Sequence, residues 1–214
     1  MSALQTLWIT RHGMRQDFVD QNWRNSAARP HDTPLSREGL QQARETGLRL
    51  KEENISVVYT SPFLRTVQTA HVIADILKLQ VRIEHGICEA LKPEWYESEP
   101  EFLAVDILQK DYPTIDVDYC SLLQPTYPEH HSSITFARCQ LAAHAIVEHG
   151  GDNLLCVDHG ASVSGVITGL TGLPSGFDCR MCALNKLVYQ AGRWQLVYSS
   201  AEHLSFHEEA LRFY

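Results

Sequence analysis

Leu7-Trp8-Ile9-Thr10-Arg11-His12-Gly13-Met14-Arg15 is an apolar run that stops abruptly at a cation, an imidazole and a glycine. Read as a buried strand, it brings these three groups together at one strand end. A strand closing on a solvated surface turn has the same local look, so its meaning is decided by what the later strands carry at their own ends.

Residues 16–34 form a long polar connection dotted with Phe18, Trp23, Arg24, Arg29 and His31. A connection of this length inside a compact domain either lines a site or is disordered; the aromatics favour the first, with Phe18 and Trp23 as wall residues. Ser36 reads as an N-cap, and Leu40, Ala43, Gly47 and Leu50 fall on one face of the helix behind it. Residues 55–60 are apolar and β-branched, hence a strand. Ser61-Pro62 then fits an N-cap and first helical position, with Leu64, Val67, Ala70, Ala74 and Leu77 as the buried stripe. Arg65 thereby sits at the mouth of a helix whose free amides favour an anion, although a surface ion pair is the commoner fate of an arginine.

Residues 81–85 read as a short strand running into Gly86-Ile87-Cys88-Glu89, which leaves Glu89 just past a strand end. Residues 92–129 are proline-broken and acidic, with Trp95, Tyr96, Phe102, Tyr112, Tyr119 and Tyr127 and material for a helix around 99–110. They read as an insertion covering the site and shaping specificity; a solvated acidic loop with packed aromatics is the other reading. Helical spacing returns over 134–149, ended by Gly150-Gly151. Asn153-Leu154-Leu155-Cys156-Val157-Asp158 is the strongest buried strand in the chain, and it ends in His159-Gly160 before a helical run over 162–170. Residues 186–190 and 194–199, joined through Ala191-Gly192, form a closing hairpin.

Length and composition bound the answer. At 214 residues, with no linker, repeat or low-complexity tract, the chain is expected to be one α/β domain over 1–214, with the insertion at about 92–133. No apolar run is long enough for a membrane span, and a first strand beginning near Leu4 leaves no room for a leader, so a cytoplasmic protein is expected. The formal net charge of −8 argues against nucleic acid or an anionic membrane as partner. The six cysteines fit buried thiols better than a disulfide framework. Cys179-x-x-Cys182 has no second pair to make a zinc site and no thioredoxin-like setting. His130-His131 points apart on any regular element, and no matching ligand set follows.

Strands alternating with helices imply a mostly parallel sheet, and ligands of such sheets gather at the carboxyl ends of the strands. Arg11, His12, Arg65, Glu89 and His159 all belong there. Arg11, Arg15 and Arg65 crowded with two histidines would repel one another unless gathered around a dianion, and a phosphoryl group suits planar, always-charged guanidinium donors. With no P-loop and no metal cage, no metal or cofactor is expected. A neutral histidine then remains as the nucleophile, with the cations holding the equatorial oxygens and an acid protonating the leaving oxygen.

Thr10-Arg11-His12-Gly13, Ser61-Pro62-x-x-Arg65-x-x-x-Thr69-Ala70, Glu89 and Asp158-His159-Gly160 together resemble the ordered motifs of the histidine phosphatase (phosphoglycerate mutase-like) superfamily. The resemblance implies a three-layer α/β/α sandwich. It implies His12 as the phosphorylated nucleophile, Arg11, Arg65, His159 and Gly160 around the phosphate, and Glu89 as proton donor. The Arg-His-Gly-x-Arg opening and Asp32-x-Pro34-Leu35-Ser36 are most similar to the Sts and ecdysteroid-phosphate phosphatase branch, in which Arg15 would be a further pocket cation. That branch acts on aromatic or steroid phosphomonoesters. The Tyr-Gly-x-Leu-x-Gly-Leu-Asn-Lys stretch of a glycolytic mutase is missing, which argues against a glycerate substrate. The expected partner is therefore a small-molecule or phosphopeptide phosphomonoester, with a homodimer left open. A phosphomutase and a non-catalytic phosphate-binding module are the alternatives.

Overall fold

The first strand, β1 (Thr6–Arg11), lies inside a six-stranded sheet and ends where the apolar run ends. The structure is a computed structural model that describes residues 5–96 and 98–206, so the expected strand start near Leu4 and the tail 207–214 lie outside the described residues. Two short helices, α1 (Gln16–Val19) and α2 (Trp23–Ser26), interrupt the long connection, and α3 (Arg37–Arg49) follows. Then come β2 (Val57–Thr60), α4 (Leu64–Leu77), β3 (Val81–Ile83) and α5 (Val105–Asp111). The chain closes with α6 (Ser132–His149), β4 (Asn153–Asp158), α7 (Gly160–Thr171), β5 (Leu184–Gln190) and β6 (Arg193–Ser200).

The sheet runs β3-β2-β4-β1-β5-β6. The first four strands in that order are mutually parallel, and β5 and β6 are antiparallel additions. Alternation along each strand divides the core into two layers. Leu7, Ile9, Leu154 and Cys156 pack against Cys139, Ala143 and Ile146 of α6 and Val163, Val166 and Ile167 of α7. Trp8, Val58, Leu155 and Val157 face the opposite way, onto Val67, Ala70, Ile73 and Ala74 of α4, with Leu50 and Leu108 beside them. The result is a three-layer α/β/α sandwich with a mostly parallel sheet. In register, Arg11 stands beside Asp158, and Thr60 beside Val157. Three parallel strands therefore end level with one another, and this shared end holds the site.

Local expectations held where the signal was strictly local. Ser36 caps α3 by accepting from Gly39 N at 3.2 Å. Ala191 and Gly192 both take positive φ, 52° and 79°, as the two-residue hairpin turn requires. Leu40, by contrast, is 43% exposed; the buried face of α3 carries Gly39, Gln42, Ala43, Thr46 and Gly47 instead. Ser61 is not the N-cap of α4 either. The helix begins at Leu64 with Phe63 before it, and the Leu64 amide is capped from a distant loop by Asp32 Oδ1 at 2.6 Å. Within 92–131 the one regular element among the described residues is α5, and α6 already begins at Ser132.

Candidate active site

His12 leaves the end of β1 fully buried, its backbone N donating to Asp158 O at 2.9 Å. Its Nδ1 lies 2.7 Å from Gly13 O. A carbonyl only accepts, so Nδ1 carries the proton and Nε2 keeps its lone pair. Nε2 is buried and has no hydrogen-bond partner among the described residues. Burial first, then the charges of Arg65 and Arg11, hold the imidazole well below the usual histidine range. The ring is thus neutral and presents one unshared electron pair.

The loop that shapes this arrangement depends on two glycines. Gly13 is not at positive φ; it is required because its backbone lies against that of Gly39 on α3, where an added Cβ would come within 2.5 Å of Gly39 O. Reciprocally, a Cβ on Gly39 would sit 2.2 Å from Met14 O. The Gly13 amide is further held by Thr69 Oγ1 at 3.1 Å, one turn along α4 from Arg65.

His159, at the end of β4, meets His12 edge to face with ring centroids 5.3 Å apart. Its Nε2 is 2.7 Å from Ser61 Oγ and its Nδ1 is 3.2 Å from Arg65 Nη2. Arginine can only donate, so Nδ1 accepts and Nε2 donates to the serine. Burial, then Arg65 and His12, also keep this ring well below the usual range. Arg65 is 2% exposed, its guanidinium stacked over Phe63 at 4.4 Å, and its Nε has no partner among the described residues. Glu89 Oε2 approaches His159 Nδ1 at 3.4 Å and Arg65 Nη2 at 3.7 Å. Arg11 reaches Cys179 O through Nη1 at 3.3 Å and acts on both imidazoles. Gly160 opens α7, so the amides of that helix end face the same region. Arg11, His12, Arg65, Glu89 and His159 are therefore one cluster.

The outer residues divide. Arg15 acts electrostatically on His12, His159 and Arg65, while its Nε and Nη2 are held by Asp17 and its guanidinium stacks on Phe18 at 4.6 Å. Phe18 is thereby joined to the pocket cation. Trp23 starts α2, and among the described residues no hydrogen bond or ring contact joins it to the cluster. Cys179 and Cys182 are both pushed up by burial, Cys182 to about 12, the reverse of what a reactive thiol needs.

Two residues at the site, although named in the sequence, were given no role of their own there. Tyr96, from the insertion, packs on Phe63 at 6.3 Å and on His31 at 5.2 Å. Burial raises its phenol, and Arg65, Glu89 and Arg15 are among the charges acting on it. An isolated tyrosine in an irregular segment has no pattern to mark it. Asp158 is fully buried and neither carboxyl oxygen has a hydrogen-bond partner among the described residues; burial raises it well above its ordinary value, which favours the protonated form.

Comparison with known proteins gives the same grouping. The sequence model of the histidine phosphatase superfamily (branch 1) matches residues 7–201. Human ubiquitin-associated and SH3 domain-containing protein A is 30% identical over 194 residues, which cover 78% of this chain but only 29% of that protein's length. The probable phosphoglycerate mutase GpmB of Proteus mirabilis is 25% identical over 205 residues, covering 88% of this chain and 86% of that one. Among solved structures, the ecdysone phosphate phosphatase from Bombix mori in complex with tungstate has the same fold, with a TM-score of 0.77 over 98% of this chain and 97% of that chain at 20% identity.

Proposed function

Because this chain belongs to the histidine phosphatase superfamily (branch 1), we propose that it is a phosphomonoester hydrolase working without a metal through a phosphohistidine on His12. The observation that carries this reading is the His12 ring itself: Nδ1–H tied to Gly13 O, Nε2 buried and unpartnered, and guanidinium groups acting on it.

The His12 Nε2 lone pair attacks phosphorus while the ester P–O bond breaks, and the leaving oxygen takes its proton from Glu89. Arg11, Arg65 and the first amides of α7 hold the phosphoryl oxygens, with Arg15 at the rim and His159 beside them accepting from Arg65. In the second half, Glu89 takes a proton from water, the hydroxide oxygen bonds to phosphorus, the P–N bond breaks and its electron pair returns to Nε2. Inorganic phosphate leaves and Glu89 is again protonated. Tyr96, His31 and Phe18 place aromatic rings beside the cluster, Tyr96 packed on the buried Phe63. This supports an aromatic or otherwise apolar alcohol as leaving group, with segment 92–133 as cover.

Substrate labelled at phosphorus tests the scheme. The denatured protein is expected to carry acid-labile, alkali-stable label that His12→Ala abolishes; label persisting in that variant overturns it. Activity is expected to survive EDTA and to be inhibited by vanadate. The likeness to a probable phosphoglycerate mutase favours one competing reading, phosphoryl return to a second hydroxyl, and release of free phosphate decides between the two.

A further inference from the structure

The backbone bearing Glu89 is held from beneath by a buried ion pair. Arg138, on α6, has an oxygen acceptor for each of its five N–H donors. Nε and Nη2 form a fork on Glu129, to Oε1 at 2.6 Å and Oε2 at 3.0 Å. The remaining donors go to three carbonyls of one short stretch: Gly86 O at 2.8 Å, Cys88 O at 3.1 Å and Glu89 O at 3.1 Å. Glu129 completes the clamp. Its Oε2 accepts from Leu91 N at 2.9 Å and Thr135 Oγ1 at 2.7 Å, while its own amide donates to Leu91 O at 2.8 Å. From α7, Ser162 Oγ adds a bond to Cys88 O at 2.8 Å.

Residues 86–91 have no ladder of their own beyond a single turn of 3₁₀ helix at His85–Ile87, so these partners fix the backbone from which the Glu89 carboxylate projects, its Oε1 accepting from Ala90 N at 3.0 Å. Both charges are buried, Arg138 at 6% and Glu129 at 1% exposure. A buried pair is a poor stabiliser compared with apolar packing of the same volume. What the planar fork supplies, and apolar contact does not, is direction. We propose that Arg138 and Glu129 are positioning residues for Glu89, fixing the backbone on both sides of it so that Oε2 stays within reach of the leaving oxygen. The inference rests on the proton-donor role given to Glu89 above.

A donor that is misdirected matters most when the leaving group is poor. Steady-state kinetics on phenyl phosphate and on p-nitrophenyl phosphate, with labelling of His12 and thermal melts, therefore separates the possibilities. Glu89→Gln sets the reference. Arg138→Lys keeps the charge and loses the fork; it is expected to lower kcat/KM, which reports the step in which the leaving oxygen departs, on phenyl phosphate by about tenfold to a hundredfold more than on the nitrophenyl ester. In the Glu89→Gln background the same substitution is expected to add nothing to the loss of leaving-group selectivity, since both act through the one carboxylate. Ser162→Ala, a milder change that leaves Cys88 O its bond from Arg138, is expected to show the same selectivity at smaller size. If Arg138→Lys and Ser162→Ala slow both esters equally, or Arg138→Lys adds its full effect to Glu89→Gln, the positioning role is wrong although the phosphohistidine reading stands. If the wild type carries no label on His12, or Glu89→Gln does not discriminate between the esters, the underlying reading falls and this inference with it.

Discussion

His12 and Asp158 are neighbours in the sheet with opposite electrostatic problems. The imidazole is lowered by burial and by cations, so the unfolded chain takes up protons before the folded one does. Stability from this group is complete above the unfolded value of about 6.5 and is lost as pH falls through the window below it. His159 is lowered by the same causes and adds to that loss. The expected outcome in a histidine NMR titration is two rings that remain neutral below the pH at which exposed histidines have titrated. Asp158, raised by burial, works the other way: above about 3.9 the unfolded chain releases its proton more readily than the folded chain does. Its cost therefore grows with pH. Asp158→Asn is expected to gain in melting temperature relative to the wild type as pH is raised from 5 to 8, whatever the difference at pH 5. A constant difference across that range would show the carboxyl to be ionised.

Among the secondary-structure elements, α3 and α4 carry the site without supplying its nucleophile. Helix α3 presents Gly39 to the loop after β1, so that two backbones touch where any side chain would intervene. Gly39→Ala is expected to cost about 1–3 kcal/mol of stability by forcing the helix away from Met14. It is also expected to lower kcat, because the same loop holds His12; chemical denaturation and steady-state rates check both. Helix α4 presents Arg65 in its first turn, and the Asp32 cap comes from the connection before α3. Ser61-Pro62 has the pattern of a helix start, yet the serine hydroxyl is taken by His159. Local propensity offered two uses for one hydroxyl, and a tertiary partner chose between them. The closing hairpin was legible because its turn needs only its own two residues at positive φ.

The irregular segment between β3 and α6 is tied to the sheet by buried acids as well as by the apolar contacts of Leu108 and Ile115. Glu84, fully buried at the end of β3, accepts from Gly86 N, Ser121 Oγ and Leu123 N on one oxygen and from Tyr119 Oη and Leu122 N on the other. Glu84→Gln replaces an all-acceptor group by one that donates toward these donors. It is expected to cost at least about 2 kcal/mol and to accelerate hydrogen exchange at the Leu122 and Leu123 amides, with the amides of β4 unchanged under conditions of local opening. Unaltered exchange at those two amides would mean the anchor is not Glu84. Among the described residues no helix is long and apolar enough to cross a membrane.

The alternation of strands and helices, the mostly parallel sheet and the gathering of Arg11, His12, Arg65, Glu89 and His159 could be read from residue order alone. Strand ends in a parallel sheet meet at one edge, so a residue's place at the end of its own strand already implies its neighbours. Tyr96, the Asp32 cap, the Gly13–Gly39 contact and the Arg138–Glu129 clamp could not be read that way. Each joins positions distant in the chain through a side chain or a backbone approach that no local period encodes. Their partners exist only once the sheet has brought them together.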